Sequence, residues 1–228
     1  MPPIICGRHV IAQSRSSTDN TITISVSALH TIDITLQRIQ AIILCPTDTL
    51  ASEVKSTVLG FGDYMKVRCY SCYEGTSEED IHSLEDGNHV VSGTPDRVLN
   101  MIRGAPFSTF HVKILVIYDA DELCDRGFKD QISDIHKHIP YDTQVVIFSA
   151  TRPFDVLKME THFLTNPVQI LVKRYEQMAT GIKHFFMAVD NEEQKFTTLC
   201  NILTALEPTQ QMVIFCDTEQ KVSRSRSL

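Results

Sequence analysis

Short apolar runs rich in β-branched residues, "HVIAQ", "AIILCP", "KVRCYSC", "HVVSG", "KILVIYDA", "QVVIFSA" and "VQILV", alternate along this chain with stretches whose apolar residues recur every three and four positions, as in 49–62 and 95–103. That alternation leaves few folds open. Runs that short and that uniformly apolar read as strands buried on both faces, and a helix between consecutive strands makes them parallel. The expected fold is α/β, a parallel sheet with helices on both faces. After Pro167 the pattern restarts, with a strand expected at "IKHFFMAV", a helix across "EEQKFTTLCNILTAL" and a strand at "QMVIFCD". The expected organisation is a first lobe over 1–166, the start of a second over 167–222, too short to cover a sheet on both faces, and a disordered Ser/Arg tail over 223–228.

With 228 residues, 43% of them hydrophobic, the chain is long enough for one substantial domain and part of another. No apolar run approaches the roughly 20 residues of a membrane span, and "MPPIICGRH" lacks the basic segment and long apolar core of a secretory signal. The expectation is a soluble intracellular protein, in nucleus or cytoplasm, with no membrane partner. Its seven cysteines fall mostly in strand-like runs, as buried thiols of a reducing compartment do, and disulfides are not expected. Cys69 and Cys72 form a lone C-x-x-C without a second pair, and His136 and His138 point apart on a helix, so no metal site is expected from either. A formal charge of −7 argues against nonspecific attraction to nucleic acid, although a local basic groove can exist on an acidic protein.

The stretch "SRSSTDNT", from Ser14 to Thr21, lies where a strand gives way to a helix, the place for a phosphate-binding loop. Such a loop needs glycines that turn backbone N–H groups onto the phosphates, a lysine for the β and γ oxygens, and a hydroxyl on Mg²⁺. Thr21 supplies the hydroxyl, a feature that an ordinary helix cap shares.

"GRHVIAQS", "LGFGDYM", "HVVSGTPDRV", "RGFKDQI", "TQVVIFSAT", "NPVQILVKR", "GIKHFF" and "MVIFCDT" carry a continuous resemblance, from Gly7 to about Val222, to the DEAD-box RNA helicases of the eukaryotic initiation factor 4A group. Within that group the likeness is read as closest to the member at the core of the exon junction complex. The resemblance implies a RecA-like sheet plus an incomplete second RecA-like lobe, ATP and Mg²⁺ as cofactors, single-stranded RNA as ligand, and RNA-dependent ATP hydrolysis coupled to unwinding. It places the phosphate loop on Ser16, Ser17, Thr18, Asp19, Asn20 and Thr21, with Ser17 and Asp19 where the family has glycine and Asn20 where it has lysine. A β-carbon in a left-handed position costs about 1–2 kcal/mol. A lost cation about 4 Å from a phosphate forfeits on the order of 4 kcal/mol even at an effective dielectric near 20.

The family's Asp-Glu-Ala-Asp falls on Tyr118, Asp119, Ala120 and Asp121, so the metal-side carboxylate is replaced and the base is one methylene shorter. Asp119 and Asp121 are the candidate catalytic carboxylates, with ordinary solvated acids as the alternative. Ser149 and Thr151 of the intact "SAT" resemble the element that links hydrolysis to unwinding, and such residues also serve as turn and cap residues. RNA contacts are implied at Pro46, Thr47, Gly75, Thr94 and Arg97. Asp48 stands in place of an arginine, and Glu74 and Asp96 in place of glycines. The segment before the first lobe and the second lobe's arginines are expected to be absent, and an arginine finger is worth about 10³–10⁵ in rate in related systems.

These departures lead to the expectation of a catalytically impaired DEAD-box-like protein, leaning away from enzymatic activity. Its ATP and Mg²⁺ binding would be weak or absent and its RNA binding weakened. It would act, if at all, as an RNA- or protein-binding module among ribonucleoprotein, translation or mRNA-processing partners. "GFKDQISDIHKHIP" is a docking surface or a lobe-packing helix on this reading. The alternatives are an active ATP-dependent RNA helicase of the initiation factor 4A type and a truncated duplicate without a selected function.

Overall fold

The computed structural model describes residues 1–14, 17–72, 87–104, 108–172, 183, 185–205, 211–218 and 221–223. The apolar runs form strands β1 (Val10–Gln13), β2 (Ala41–Leu44), β3 (Cys69–Cys72), β4 (Val90–Gly93), β5 (Ile114–Ile117), β6 (Gln144–Ser149) and β7 (Val168–Ile170). They pair in the order β3-β4-β2-β5-β6-β1-β7, every pair parallel. Among the described residues the helices are α1 (Pro2–Ile5), α2 (Ser17–Thr31), α3 (Asp48–Gly62), α4 (Pro95–Arg103), α5 (Ala120–Asp125), α6 (Lys129–His138), α7 (Phe154–Phe163) and α8 (Glu192–Ala205).

The pleat sends neighbouring residues to opposite faces, and both faces are covered. Ile42, Leu44, Leu115, Ile117, Val145 and Ile147 join one apolar cluster with Val98 of α4, Leu123 of α5, Ile132 and Ile135 of α6 and Val156 of α7. Their neighbours Ala41, Ile43, Ile114, Val116 and Val146 join a second cluster with Ile24 and Ala28 of α2 and Val54 and Val58 of α3. This two-sided burial explains the uniform apolarity of the runs. The fold is the parallel sheet with helices on both faces that the alternation predicts, as the resemblance to a RecA-like lobe also implies, and α3 and α4 occupy the stretches expected to be helical.

The chain divides into two compact units, Met1–Gln177 and Met178–Leu228. The first therefore extends beyond residue 166. Val168–Ile170 pairs with β1 at Val10↔Val168, where the free side of β1 offers unpaired backbone groups to the incoming chain.

In the second unit α8 forms as expected, but among the described residues neither expected strand does. Residues 183, 185–189 and 211–216 form no strand. A strand exists only with a neighbour, whereas a helix bonds to itself. Phe185, Phe186 and Phe215 are accordingly exposed. Around α8, Lys221 pairs with Glu192 and with Asp217 (3.0 Å), and Lys195 pairs with Glu192 (3.2 Å). Exposed pairs of this kind contribute little, about 0–1 kcal/mol each. No helix among the described residues is long and apolar enough to cross a membrane.

Candidate nucleotide and RNA site

Because the strands are parallel, their C-terminal ends share one edge, where ligands bind in folds of this type. Thr21, Thr47, Thr94, Asp119 and Ser149 all lie at or just beyond strand ends on that edge, and α2, α3, α4 and α5 start there.

β1 ends at Gln13, whose Nε2 donates to the Ala150 carbonyl at 3.1 Å, tying the loop entrance to the turn after β6. Ser16 lies outside the described residues, and α2 opens at Ser17. Thr18 and Asp19 are exposed, whereas Asn20 is only 4% and Thr21 only 2% exposed. The Thr21 hydroxyl is 2.9 Å from the phenol oxygen of Tyr118, which is fully buried at the end of β5. The Tyr118 N–H donates to the Leu44 carbonyl at 2.9 Å, fixing the residue in sheet register before the chain turns into α5. Burial, with the nearby acidic groups, pushes the phenol up to about 12 against the opposing hydrogen bond from Thr21. At neutral pH Tyr118 is therefore an uncharged hydroxyl where the resembled site has a carboxylate.

Asp119 follows in the left-handed conformation, φ 54°, as the N-cap of α5 without a side-chain cap bond. Desolvation, then the charges of Asp121 and Glu122, push its carboxyl up to about 6. Asp121 goes the other way. Burial acts to raise it, but hydrogen bonds from the Thr151 hydroxyl (2.7 Å) and N–H (2.9 Å), with Ser149 nearby, outweigh burial and hold it below its ordinary value. The Ser149 hydroxyl accepts from the Asp121 N–H at 3.2 Å and donates to the Thr151 carbonyl at 2.6 Å. The structure thus brings Asp121, Ser149 and Thr151 into one network, and Thr21 and Tyr118 into another.

The positions that the resemblance assigns to ATP and Mg²⁺ present an altered donor set. In a site of the resembled kind the phosphate-loop hydroxyl and a nearby carboxylate would hold the ion, together with the nucleotide's phosphates. Here a neutral phenol is hydrogen-bonded to the Thr21 hydroxyl, and the position where the resemblance implies a lysine holds a buried, neutral Asn20.

On the expected RNA side, the Thr47 hydroxyl accepts from the Leu50 N–H at 3.2 Å, capping α3, and Pro46 is buried before it. A cap role thus accounts for Thr47 without RNA. Thr94 starts α4 with no side-chain cap bond. Arg97 is partly exposed, 3.9 Å from Asp96. One carboxylate oxygen each of Asp48 and Asp96 is buried without a hydrogen bond among the described residues. β2 and β4 are neighbours, so these two acids occupy adjacent helix starts on the edge expected to face a polyanion. Gly75 and Glu74 lie outside the described residues.

Sequence reasoning missed the Tyr118–Thr21 bond. The signal was present, because matching the two motifs puts Tyr118 at a metal-side carboxylate and Thr21 at a metal-side hydroxyl.

Residues 1–159 match the DEAD/DEAH box helicase family. The ATP-dependent RNA helicase FAL1 of Mycosarcoma maydis is 52% identical over 221 residues, 96% of this chain and 55% of the relative. The ATP-dependent RNA helicase fal1 of Emericella nidulans is 51% identical over 220 residues, with the same coverage, 96% and 55%. These relatives carry the name FAL1, not that of the exon junction complex member to which the sequence pointed. Among solved structures, S. cerevisiae Dbp5 bound to Gle1 and IP6 superposes with a TM-score of 0.72 at 26% identity, over 96% of this chain and 54% of that one. Dbp5 bound to Nup159, Gle1, IP6 and ADP gives 0.67 at 29% identity, over 88% and 52%. The chain spans about half the length of the curated relatives it matches.

Proposed function

The chain belongs to the DEAD/DEAH box helicase family, and from that premise we propose that it is an RNA-helicase-type module whose nucleotide chemistry is impaired. It acts as an RNA- or protein-binding element of ribonucleoprotein complexes, inside the cell, in nucleus or cytoplasm. Residues after Gln177 are the start of the second RecA-like lobe on this reading. The observation that carries it is the 2.9 Å hydrogen bond between Tyr118 and Thr21. It engages the hydroxyl that would serve a metal ion and sets a neutral group where charge is needed.

ATP would supply the family's phosphoryl chemistry, and Mg²⁺ the charge neutralisation. The residues present do not provide for either, so no hydrolytic step is assigned to Asp119 or Asp121. Asp121, Ser149 and Thr151 keep the turn after β6 closed onto α5. RNA contact falls to the helix starts at Thr47, Thr94 and Arg97, weakened by Asp48 and Asp96. A sugar-phosphate grip of this kind is independent of sequence and sensitive to salt.

A second reading, an active ATP-dependent RNA helicase, is favoured by the names of the FAL1 relatives and by the ADP in one Dbp5 structure. Titration with Mg²⁺-ATP, together with phosphate release with and without single-stranded RNA, separates the two. The impaired reading expects no saturable binding below millimolar nucleotide and no RNA-stimulated release. Clear stimulated turnover by the unmodified chain establishes the second reading and rejects the first.

A further inference from the structure

We propose that Tyr118 is a positioning residue that takes over the task of a ligand, holding the start of α2 against the end of β5 so that the phosphate-loop helix is ordered without nucleotide. The inference rests on the impaired reading of the site and deepens it.

Three observations converge. Tyr118 is anchored at both ends, its N–H on the Leu44 carbonyl and its hydroxyl on Thr21, each at 2.9 Å. Its ring belongs to the apolar cluster that contains Ile24 and Ala28 of α2, Ala51 and Val54 of α3, and Ala12 at the end of β1. The first turns of α2 bury two polar residues, Asn20 and Thr21, in a place where a working phosphate loop has them facing its ligand. The phenol gives the buried threonine hydroxyl a neutral hydrogen bond that needs no ion, and a bond of this kind contributes about 1 kcal/mol. The substitution that removes the metal ligand therefore also supplies its structural replacement.

The test is amide hydrogen exchange over residues 18–24, without nucleotide, in the unmodified chain, Tyr118→Phe, Thr21→Val and the double variant. Phenylalanine keeps the ring and its packing, and valine keeps the shape of threonine, so each removes one hydroxyl. Each single variant is expected to exchange about tenfold faster in this stretch, the equivalent of roughly 1.4 kcal/mol. The double variant is expected to fall well short of the product of the two effects, because both remove the same bond. Amides of α6, whose Ile132 and Ile135 lie in the cluster on the opposite face, are expected to keep their rates, which separates a local tie from general destabilisation. Unchanged exchange in the single variants, or effects that multiply, overturns the proposal. If Tyr118→Phe does not fold, Thr21→Val read in the same way decides it, acceleration supporting the tie and unchanged rates refuting it.

A parallel measurement with Mg²⁺-ATP distinguishes the two levels. Added protection of residues 18–24 in the unmodified chain rejects the impaired reading. The nucleotide-free comparison alone decides the role of Tyr118.

Discussion

Replacing Asp119 by asparagine removes one charge at the point where β5 turns into α5, and the change is expected to stabilise the protein. In the folded chain its carboxyl is pushed up to about 6 by desolvation and by Asp121 and Glu122, against an ordinary value of 3.8. Below 3.8 the group is protonated in both folded and unfolded chains and contributes nothing. Between 3.8 and 6 the unfolded chain releases the proton while the folded chain holds it, so stability falls as pH rises. Above 6 the penalty is complete. At about 1.36 kcal/mol per pH unit its ceiling is roughly 3 kcal/mol, and screening at a half-exposed group reduces that to about 1 kcal/mol.

Asparagine carries no charge and tolerates the left-handed conformation that Asp119 adopts, φ 54°, so the backbone is undisturbed. Urea unfolding of both proteins from pH 3.5 to 7.5 is the assay. The variant is expected to match the parent near pH 3.5 and to gain about 1 kcal/mol above pH 6, which is about 2–4 °C in Tm. Asp121 titrates in the opposite sense. Its folded value is lowered, so its contribution is present above its unfolded value and is lost as pH falls. The difference between the two proteins cancels that effect. A variant no more stable than the parent at pH 7, or a gain that is the same at every pH, refutes the reasoning.

A chain carrying Ser17→Gly, Asp19→Gly and Asn20→Lys is expected to bind Mg²⁺-ATP more tightly than the parent by tenfold or more in a direct titration, and more so with Tyr118→Asp added. Glu160→Ala removes a carboxylate, only 11% exposed, that pairs with Arg152 and accepts from Gln169 at 2.6 Å; it is expected to lose about 3 kcal/mol in urea unfolding, because a largely buried guanidinium is left without its partner. Gly93→Ala would bring a β-carbon to 2.8 Å from the Cys72 β-carbon and 3.1 Å from its carbonyl oxygen, and is expected to lose about 1–3 kcal/mol by thermal unfolding. Thr47→Ala is expected to lose about 1 kcal/mol through the cap of α3, read by the same unfolding assay.

The sheet was legible because its central strands are buried on both faces. Runs such as "AIIL" and "ILVI" leave no polar face for an amphipathic alternative, and the spacing of α3 and α4 marks the side each covers. Asp121, Ser149 and Thr151, which the sequence grouped only through the resemblance, are joined by hydrogen bonds because residues at strand ends converge in a parallel sheet. The place of Val168–Ile170 was not, since a three-residue strand at an edge says nothing about its neighbour. "IKHFFMAV" and "QMVIFCD" have the composition of strands, but strand pairing is non-local, and their described residues form no strand. The left-handed turn at Asp119 and the Tyr118–Thr21 contact depend on how a side chain fills the space left by another. A linear pattern of residue types does not encode that.

The strand order also sets a timetable for synthesis. β1 is made first yet sits between β6 and β7, with Val10 facing Val146 on one side and Val168 on the other. At about 5–20 residues per second, the ribosome needs on the order of 10–30 s after β1 emerges to deliver β7. The subset β3-β4-β2-β5 can assemble meanwhile, because all of its members lie between Ala41 and Ile117. Among the described strands, residues 10–13 are therefore the earliest to be translated and among the last to be seated, so their backbone groups wait longest for both neighbours.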